Sequence, residues 1–292
     1  MSEKVIKSYK AFDKNMQCRG FQYEVGKEYE MDGEIKCCDR GFHACKSPME
    51  VWDHYDMLSS RFAEVEQSGK IDEEGNSTKV CSSRIKIKAE LKLADIIKVG
   101  VEWLKDITSP TKVKTDIAKN NNGGYSAKIG SSGDSAKIGS GGYSAKIGSS
   151  GCSAQIGSSG DSAQIGSSGD YAKIGSSGYS AKIGSSGCSA QIGSSGGYAQ
   201  IGSSGDSAQI GSSGDYAQIY STGEDSVVMC AGKESKAKAK VGSWITLTEW
   251  EWNDDKKRRV PLCVKTEYVD GNNIKADTWY QLQNGEFVEV TV

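Results

Sequence analysis

The sequence predicts a mainly β protein organised around a parallel β-solenoid, with a small α+β domain before it and a β-rich cap after it. Three observations carry this reading. From Ile129 to Ile219 an isoleucine recurs every nine residues, eleven times without a slip, inside near-copies of Gly-Ser-Ser-Gly-x-x-Ala-(Lys/Gln)-Ile. Units this short cannot bury an apolar face alone, so they stack, and a stack of like rungs is a solenoid. On both sides the repeat gives way to ordinary mixed composition, which sets domain boundaries at residues 1–118, 119–228 and 229–292.

In the first domain, strand-like runs fall at residues 5–12, 20–25, 61–66 and 80–93, the last alternating through Arg84-Ile85-Lys86-Ile87-Lys88. Two helices are marked. Ser47-Pro48-Met49-Glu50 reads as a capping box with proline at the first helical position, opening a helix with Val51, Trp52 and Tyr55 on one side. Residues 94–107, with Ile96, Ile97, Val101, Trp103 and Leu104, form the second.

In the unit Gly130-Ser131-Ser132-Gly133-Asp134-Ser135-Ala136-Lys137-Ile138, Ala136 and Ile138 alternate with Ser135 and Lys137, the period of a strand with one buried side. Alanine and isoleucine are expected inside. The core ladder is then Ile129, Ile138, Ile147, Ile156, Ile165, Ile174, Ile183, Ile192, Ile201, Ile210 and Ile219. Gly-Ser-Ser-Gly is expected to supply the positive-φ positions of a tight corner. Two glycines per unit, at about 1 kcal/mol each relative to alanine, argue against a helix, and a disordered linker would not hold Ala and Ile in register. Two units per coil make two facing sheets, and the twelve units ending at Val228 then span six coils, roughly 29 Å at one strand spacing per coil. Three units per coil, a triangular prism, is the alternative.

The two variable positions of each unit are expected outside the core. They hold Tyr125, Tyr143, Tyr171, Tyr179, Tyr198 and Tyr216, which form the predicted contact surface because tyrosine supplies large area at low entropic cost. With two units per coil, Asp134, Cys152, Asp170, Cys188 and Asp206 share one column. Thiols there separate carboxylates, or the pattern records duplication of units. The outer face runs from Lys128, Lys137, Lys146, Lys173 and Lys182 to Gln191, Gln200, Gln209 and Gln218. The calcium-binding nonapeptide Gly-Gly-x-Gly-x-Asp-x-(apolar)-x fits poorly, because aspartate here follows the second glycine directly and is often Tyr, Cys or Gly. After the repeats, residues 244–250, a turn at 268–274, and strands at 278–282 and 287–290 read as a cap over a terminal rung that would otherwise template aggregation.

A net charge of −2 gives no sign of a nucleic-acid binder. The first residues carry no apolar signal region and no stretch approaches a membrane span, so a cytoplasmic protein is expected. Nine cysteines without a Cys-x-x-Cys suit reduced thiols. Cys37, Cys38, His43 and Cys45 are a zinc-type ligand set, but adjacent cysteines on a strand point to opposite faces and the spacing fits no standard knuckle. Cys45 with His43 lacks the third group of a hydrolase. No metal or cofactor is expected.

Cys18-Arg19-Gly20-Phe21-Gln22-Tyr23-Glu24-Val25-Gly26-Lys27, Gly41-Phe42-His43-Ala44-Cys45, Arg61-Phe62-Ala63-Glu64-Val65-Glu66 and Ile274-Lys275-Ala276-Asp277-Thr278-Trp279-Tyr280 resemble an uncharacterised family of phage, prophage and gut-bacterial proteins that join such a domain to Gly/Ser/Ala-rich nonapeptides. The resemblance implies a phage-like context and no particular chemistry. The order Arg19, Cys45 and Ser47, then Glu64-Val65-Glu66, also loosely resembles ADP-ribosyltransferases, although His43-Ala44-Cys45 stands where those enzymes carry hydroxyls. The function expected is non-enzymatic: a rigid solenoid presenting a recognition domain or docking surface to a protein partner, a host or defence-system component. Self-association through the cap is expected too. The alternatives are an ADP-ribosyltransferase-like enzyme or inactive relative, and a virion or cargo structural protein.

Overall fold

A computed structural model describes residues 4–73, 77–108 and 124–291 of the chain, which divides into two compact units, residues 1–103 and 104–292. The first is an α+β domain. Its strands β1 (Ile6–Phe12), β4 (Glu28–Glu30), β5 (Phe42–Cys45), β6 (Arg61–Glu73) and β7 (Lys79–Leu91) form one antiparallel sheet, order β4-β7-β5-β1-β6. Because β6 also pairs with β7, the sheet closes on itself, and β2 (Gln17–Cys18) and β3 (Phe21–Gln22) make a separate hairpin. Closure leaves a small interior of Phe12, Phe42, Ala63, Val65, Ile85 and Ile87. Gln67 is buried there too, joined to Ser8, Ser82 and the carbonyls of Phe42 and Val80, so its polar groups are satisfied within the core.

Both helices occur where apolar spacing places them, one of them shortened. The helix α1 (Leu93–Ile107) buries Ile96, Ile97, Val101 and Leu104 along one stripe. The segment after Pro48 makes only a 3₁₀ turn, Met49–Asp53, without a side-chain cap. Its Glu50 carboxylate instead accepts from the amide and hydroxyl of Thr78, which removes the capping box that the sequence implied.

The solenoid has two parallel sheets and two units per coil, as Ile147 pairs with Ile129 and Ile165 while Ile156 pairs with Ile138 and Ile174. Ile147 to Ile219 are buried, and Ile129 and Ile138 in the first coil are partly buried against them. The strands differ in phase from expectation. Each covers Lys/Gln-Ile-Gly-Ser, as in Lys146–Ser149, so the first glycine and first serine of the corner sequence belong to the strand. Ser149, Ser167, Ser185 and Ser203 therefore point inward with the isoleucines.

The repeat glycines also act differently from expectation. Among the described residues none of the repeat glycines has positive φ; that conformation falls on the second variable residue, as at Ser135, Ser153, Tyr171 and Ser189. The second glycine is required by close approach instead, since a Cβ on Gly187 would overlap the Gly169 carbonyl of the coil below and lie 2.8 Å from the Asp170 nitrogen.

The stack continues past the sequence boundary at Val228, giving about 7 turns over residues 128–247. Val227–Cys230, Lys236–Lys238 and the start of Trp244–Asn253 are rungs without the full Gly-Ser-Ser-Gly corner, although Gly223 and Gly232 keep its close approach to the coil below, and Ala237 and Ile245 take the inward positions. Composition changes there while burial does not. The cap follows: Trp244–Asn253 pairs antiparallel with Arg258–Tyr268, and Tyr280–Gln283 pairs antiparallel with the rung at Ala237 and with Glu286–Glu289. Both solenoid sheets thus end on antiparallel strands. No described helix is long and apolar enough to cross a membrane.

Candidate functional site

Each coil has two corners, and they sort the predicted tyrosines. Tyr125, Tyr143, Tyr179, Tyr198 and Tyr216 come to one corner, whereas Tyr171 stands at the other with Ser135, Ser153, Ser189 and Ser207 in its column. At the first corner Tyr125 stacks on Tyr143 at 5.1 Å and 9° between planes. Further along, Tyr179 meets Tyr198 at 5.1 Å, and Tyr198 stacks on Tyr216 at 4.8 Å and 12°. Lys233 ends the row, its ammonium donating to the Tyr216 hydroxyl at 3.0 Å and lying 5.2 Å from that ring. The rings remain accessible, Tyr125 at 69% and Tyr179 at 56% exposed.

A change of backbone keeps these rings together. Tyr125, Tyr143 and Tyr179 occupy the first variable position, but Tyr198 and Tyr216 occupy the second. The amides of Ser144, Ser162 and Ser180 donate back to the carbonyls of Tyr125, Tyr143 and Asp161 in the preceding coil. From Tyr198 the corner inverts: Tyr198 and Tyr216 adopt φ of 57° and donate forward to Asp215 and Lys233 at 2.8 Å. The inversion moves the second side chain to where the first had been.

At the other corner the coils from Ser135 to Ser207 donate forward, as Ser153 to Asp170 and Tyr171 to Cys188. Left-handed backbone at a non-glycine residue is costly. Aspartate offsets it: Asp134, Asp170 and Asp206 each accept, through Oδ1, the amide of the residue one coil ahead, at Cys152, Cys188 and Glu224. The alternation of Asp and Cys therefore has a physical basis on the aspartate side. The choice of cysteine for the intervening coils has no structural explanation.

The outer faces of the two sheets also differ. On the first, Lys146, Gly148, Gln164 and Gly166 are buried, and at the start of that face a Cβ on Gly130 would lie 2.9 Å from the Leu104 carbonyl. On the second, Gly139, Gly157, Gly175, Gly193 and Gly211 floor a trough of about 1050 Å³, walled by Lys137, Gln155, Lys173 and Gln191 and ended by Val227 and Met229. The basic-to-neutral gradient read along the sequence is thus divided between a covered and an open face.

The amino-terminal domain holds a separate cleft of about 900 Å³ lined by Lys10, Cys18, Arg19, His43, Cys45 and Tyr55 among others. Lys10 is 5% exposed and donates to the His43 carbonyl at 2.9 Å and to Cys18 Sγ at 3.5 Å, with the Phe12 and Tyr23 rings within 5.7 Å. Burial lowers its proton affinity, while the Cys18 sulfur favours its charged form. Cys18 Sγ lies 2.7 Å from the Tyr55 hydroxyl, and burial pushes that phenol above its ordinary range. His43 Nε2 accepts the Cys38 amide at 2.9 Å, and burial together with the Lys10 charge lowers the imidazole's proton affinity. Sequence reasoning passed over Lys10; its signal was a lysine at an inward position of a strand.

The other sequence candidates do not converge. Cys37 turns its thiol to the Asp72 carbonyl at 3.2 Å, and no cluster of metal-ligand type forms among the described residues. Glu64 pairs with Lys7 and Glu66 with Lys88, and neither lines the cleft that holds Arg19 and Cys45. Residues 6–99 match the model of a family described as a domain of unknown function (DUF7666). No curated protein and no solved structure matches the chain.

Proposed function

We propose that this chain is a non-enzymatic binding protein whose solenoid presents the tyrosine corner to a protein partner. The carrying observation is the stack itself. Five exposed or half-exposed rings from different coils stand at one corner in two stacked runs, Tyr125–Tyr143 and Tyr179–Tyr198–Tyr216, on either side of Asp161, and the backbone inverts at Tyr198 in a way that keeps the longer run together. Aromatic side chains on a rigid frame are what interface hot spots use. The resemblance to phage and prophage proteins supports a partner in the bacterial cytoplasm, a host or defence-system component.

The cap supports self-association as a second part of the same reading. Leu262 and Val264 are 53% and 61% exposed, and Tyr268 stands on the same side of that strand, paired with the exposed Trp244. An apolar stripe of this kind is a frequent mark of an interface.

The test is capture from a host lysate with three forms of the full chain: native, Tyr179/Tyr198/Tyr216→Ser, and Tyr171→Ser. Loss of hot-spot rings costs about 2 kcal/mol or more each. The triple variant is therefore expected to lose a protein that the native chain and Tyr171→Ser both retain. Identical captured sets from all three forms defeat the reading.

A further inference from the structure

An ammonium as deeply buried as Lys10 requires a compensating charge or a neutral state. No carboxylate pairs with it among the described residues; its hydrogen bonds go to the His43 carbonyl and to Cys18 Sγ, and Cys18 is the largest influence favouring its charged form. The amine nitrogen and the Cys18 sulfur stand 3.5 Å apart, within reach of a direct proton transfer from thiol to amine. The Tyr55 hydroxyl at 2.7 Å supplies a donor to the developing sulfur charge.

The cleft around this pair is weighted toward positive charge. Arg19, Arg40 and Lys79 line it with Lys10, against Asp39 and Asp53. Its remaining walls include the mutually packed rings of Phe21, Tyr23 and Phe42.

We infer that Cys18 is a nucleophilic thiol with Lys10 as its built-in base, and that the cleft is a covalent modification site for small electrophiles carrying negative charge. The step balances without an added oxidant. The Cys18 proton passes to Lys10, a sulfur electron pair forms the S–C bond to the electrophilic carbon, and the leaving group departs with the electrons of its own bond. The proton then passes from Lys10 to solvent, because the thioether supplies no compensating charge. This goes beyond the docking role of the solenoid and does not depend on it.

The experiment alkylates the native full chain separately with iodoacetamide and iodoacetate and follows each cysteine by peptide mass spectrometry. Cys152 and Cys188 are internal references, since they are exposed while Cys18 is only partly so. Accessibility alone would rank them first. A thiol with its own base is expected to react about tenfold faster than both. The ratio of iodoacetate to iodoacetamide rate is expected to be higher at Cys18 than at the references. Lys10→Met replaces the buried ammonium with an apolar chain of similar length, so the domain is expected to keep its circular dichroism while the Cys18 rate falls about tenfold and the reference rates hold. Tyr55→Phe is expected to slow Cys18 less. The inference is overturned if native Cys18 reacts no faster than Cys152 and Cys188, or if a folded Lys10→Met chain keeps the native Cys18 rate.

Discussion

At the scale of single residues, two glycines of the same repeat have unlike roles. A Cβ on Gly193, in a strand facing the trough, meets nothing within 4 Å, whereas one on Gly187, at a corner, runs into the coil below. Gly193→Ala is therefore expected to be neutral or to stabilise by up to about 1 kcal/mol through the unfolded chain. Gly187→Ala is expected to destabilise by about 1–3 kcal/mol. Urea unfolding of the two variants checks this, and equal midpoints would contradict the close-approach account. The sequence places them at different ends of Gly-Ser-Ser-Gly but does not show what either one meets, which is why their roles were not legible: one depends on a neighbour eighteen residues away. The isoleucines were legible because burial alone determines their spacing. The Lys10–Cys18 pair was not, because a local turn between Asp13 and Gln17 folds the hairpin back on β1, and no periodicity encodes it.

At the scale of elements, the pair of nonapeptides is the unit that repeats in space. Each strand bonds to one eighteen residues away, and the corner that holds the tyrosines recurs with the same period. Deleting residues 160–177 removes one coil and returns every later strand to its own sheet. Deleting residues 160–168 instead transfers all later strands to the opposite sheet, separating Tyr125 and Tyr143 from Tyr179, Tyr198 and Tyr216. Stability in such arrays is close to a sum over repeats, so both deletions are expected to keep the β spectrum of the parent. Only the shorter deletion is expected to abolish partner capture. Loss of capture by both would mean that length, not corner register, governs recognition. Here the sequence was nearly sufficient: nine-residue spacing and Ala-x-Ile alternation imply a stacked coil, and the eighteen-residue pairing decides for two units per coil over three. The continuation of rungs through Ala237 and Ile245 was hidden, because it keeps inward packing after the Gly-Ser signal has ended.

At the scale of the whole molecule, the cap closes the last rung and also presents its own apolar strand. Leu262→Lys with Val264→Lys places two charges on an exposed face, leaving the rung pairing untouched. If that face mediates self-association, multi-angle light scattering is expected to show the native chain as an oligomer and the double variant as a monomer with unchanged melting. A monomeric native chain at tens of micromolar removes self-association from the reading. The cap's existence was legible from the need to cover a sheet end, and the hairpin of Tyr280–Gln283 with Glu286–Glu289 from Asn284-Gly285, whereas the turn at 268–274 joins strands of different sheets and the hairpin of Trp244–Asn253 with Arg258–Tyr268 carried no turn signal that was read. Its outward stripe was not, since strand alternation alone does not say which side meets water.

The forward-donating corners have a consequence for how the chain is made. At Ser153, Tyr171 and Ser189 a left-handed backbone is relieved only by a carbonyl, and at Asp134 and Asp170 a carboxylate finds its amide only, in the coil that comes next. A partial array emerging from the ribosome thus always lacks the bonds that settle its newest turn. Each coil added completes the forward-donating corner of the coil before it.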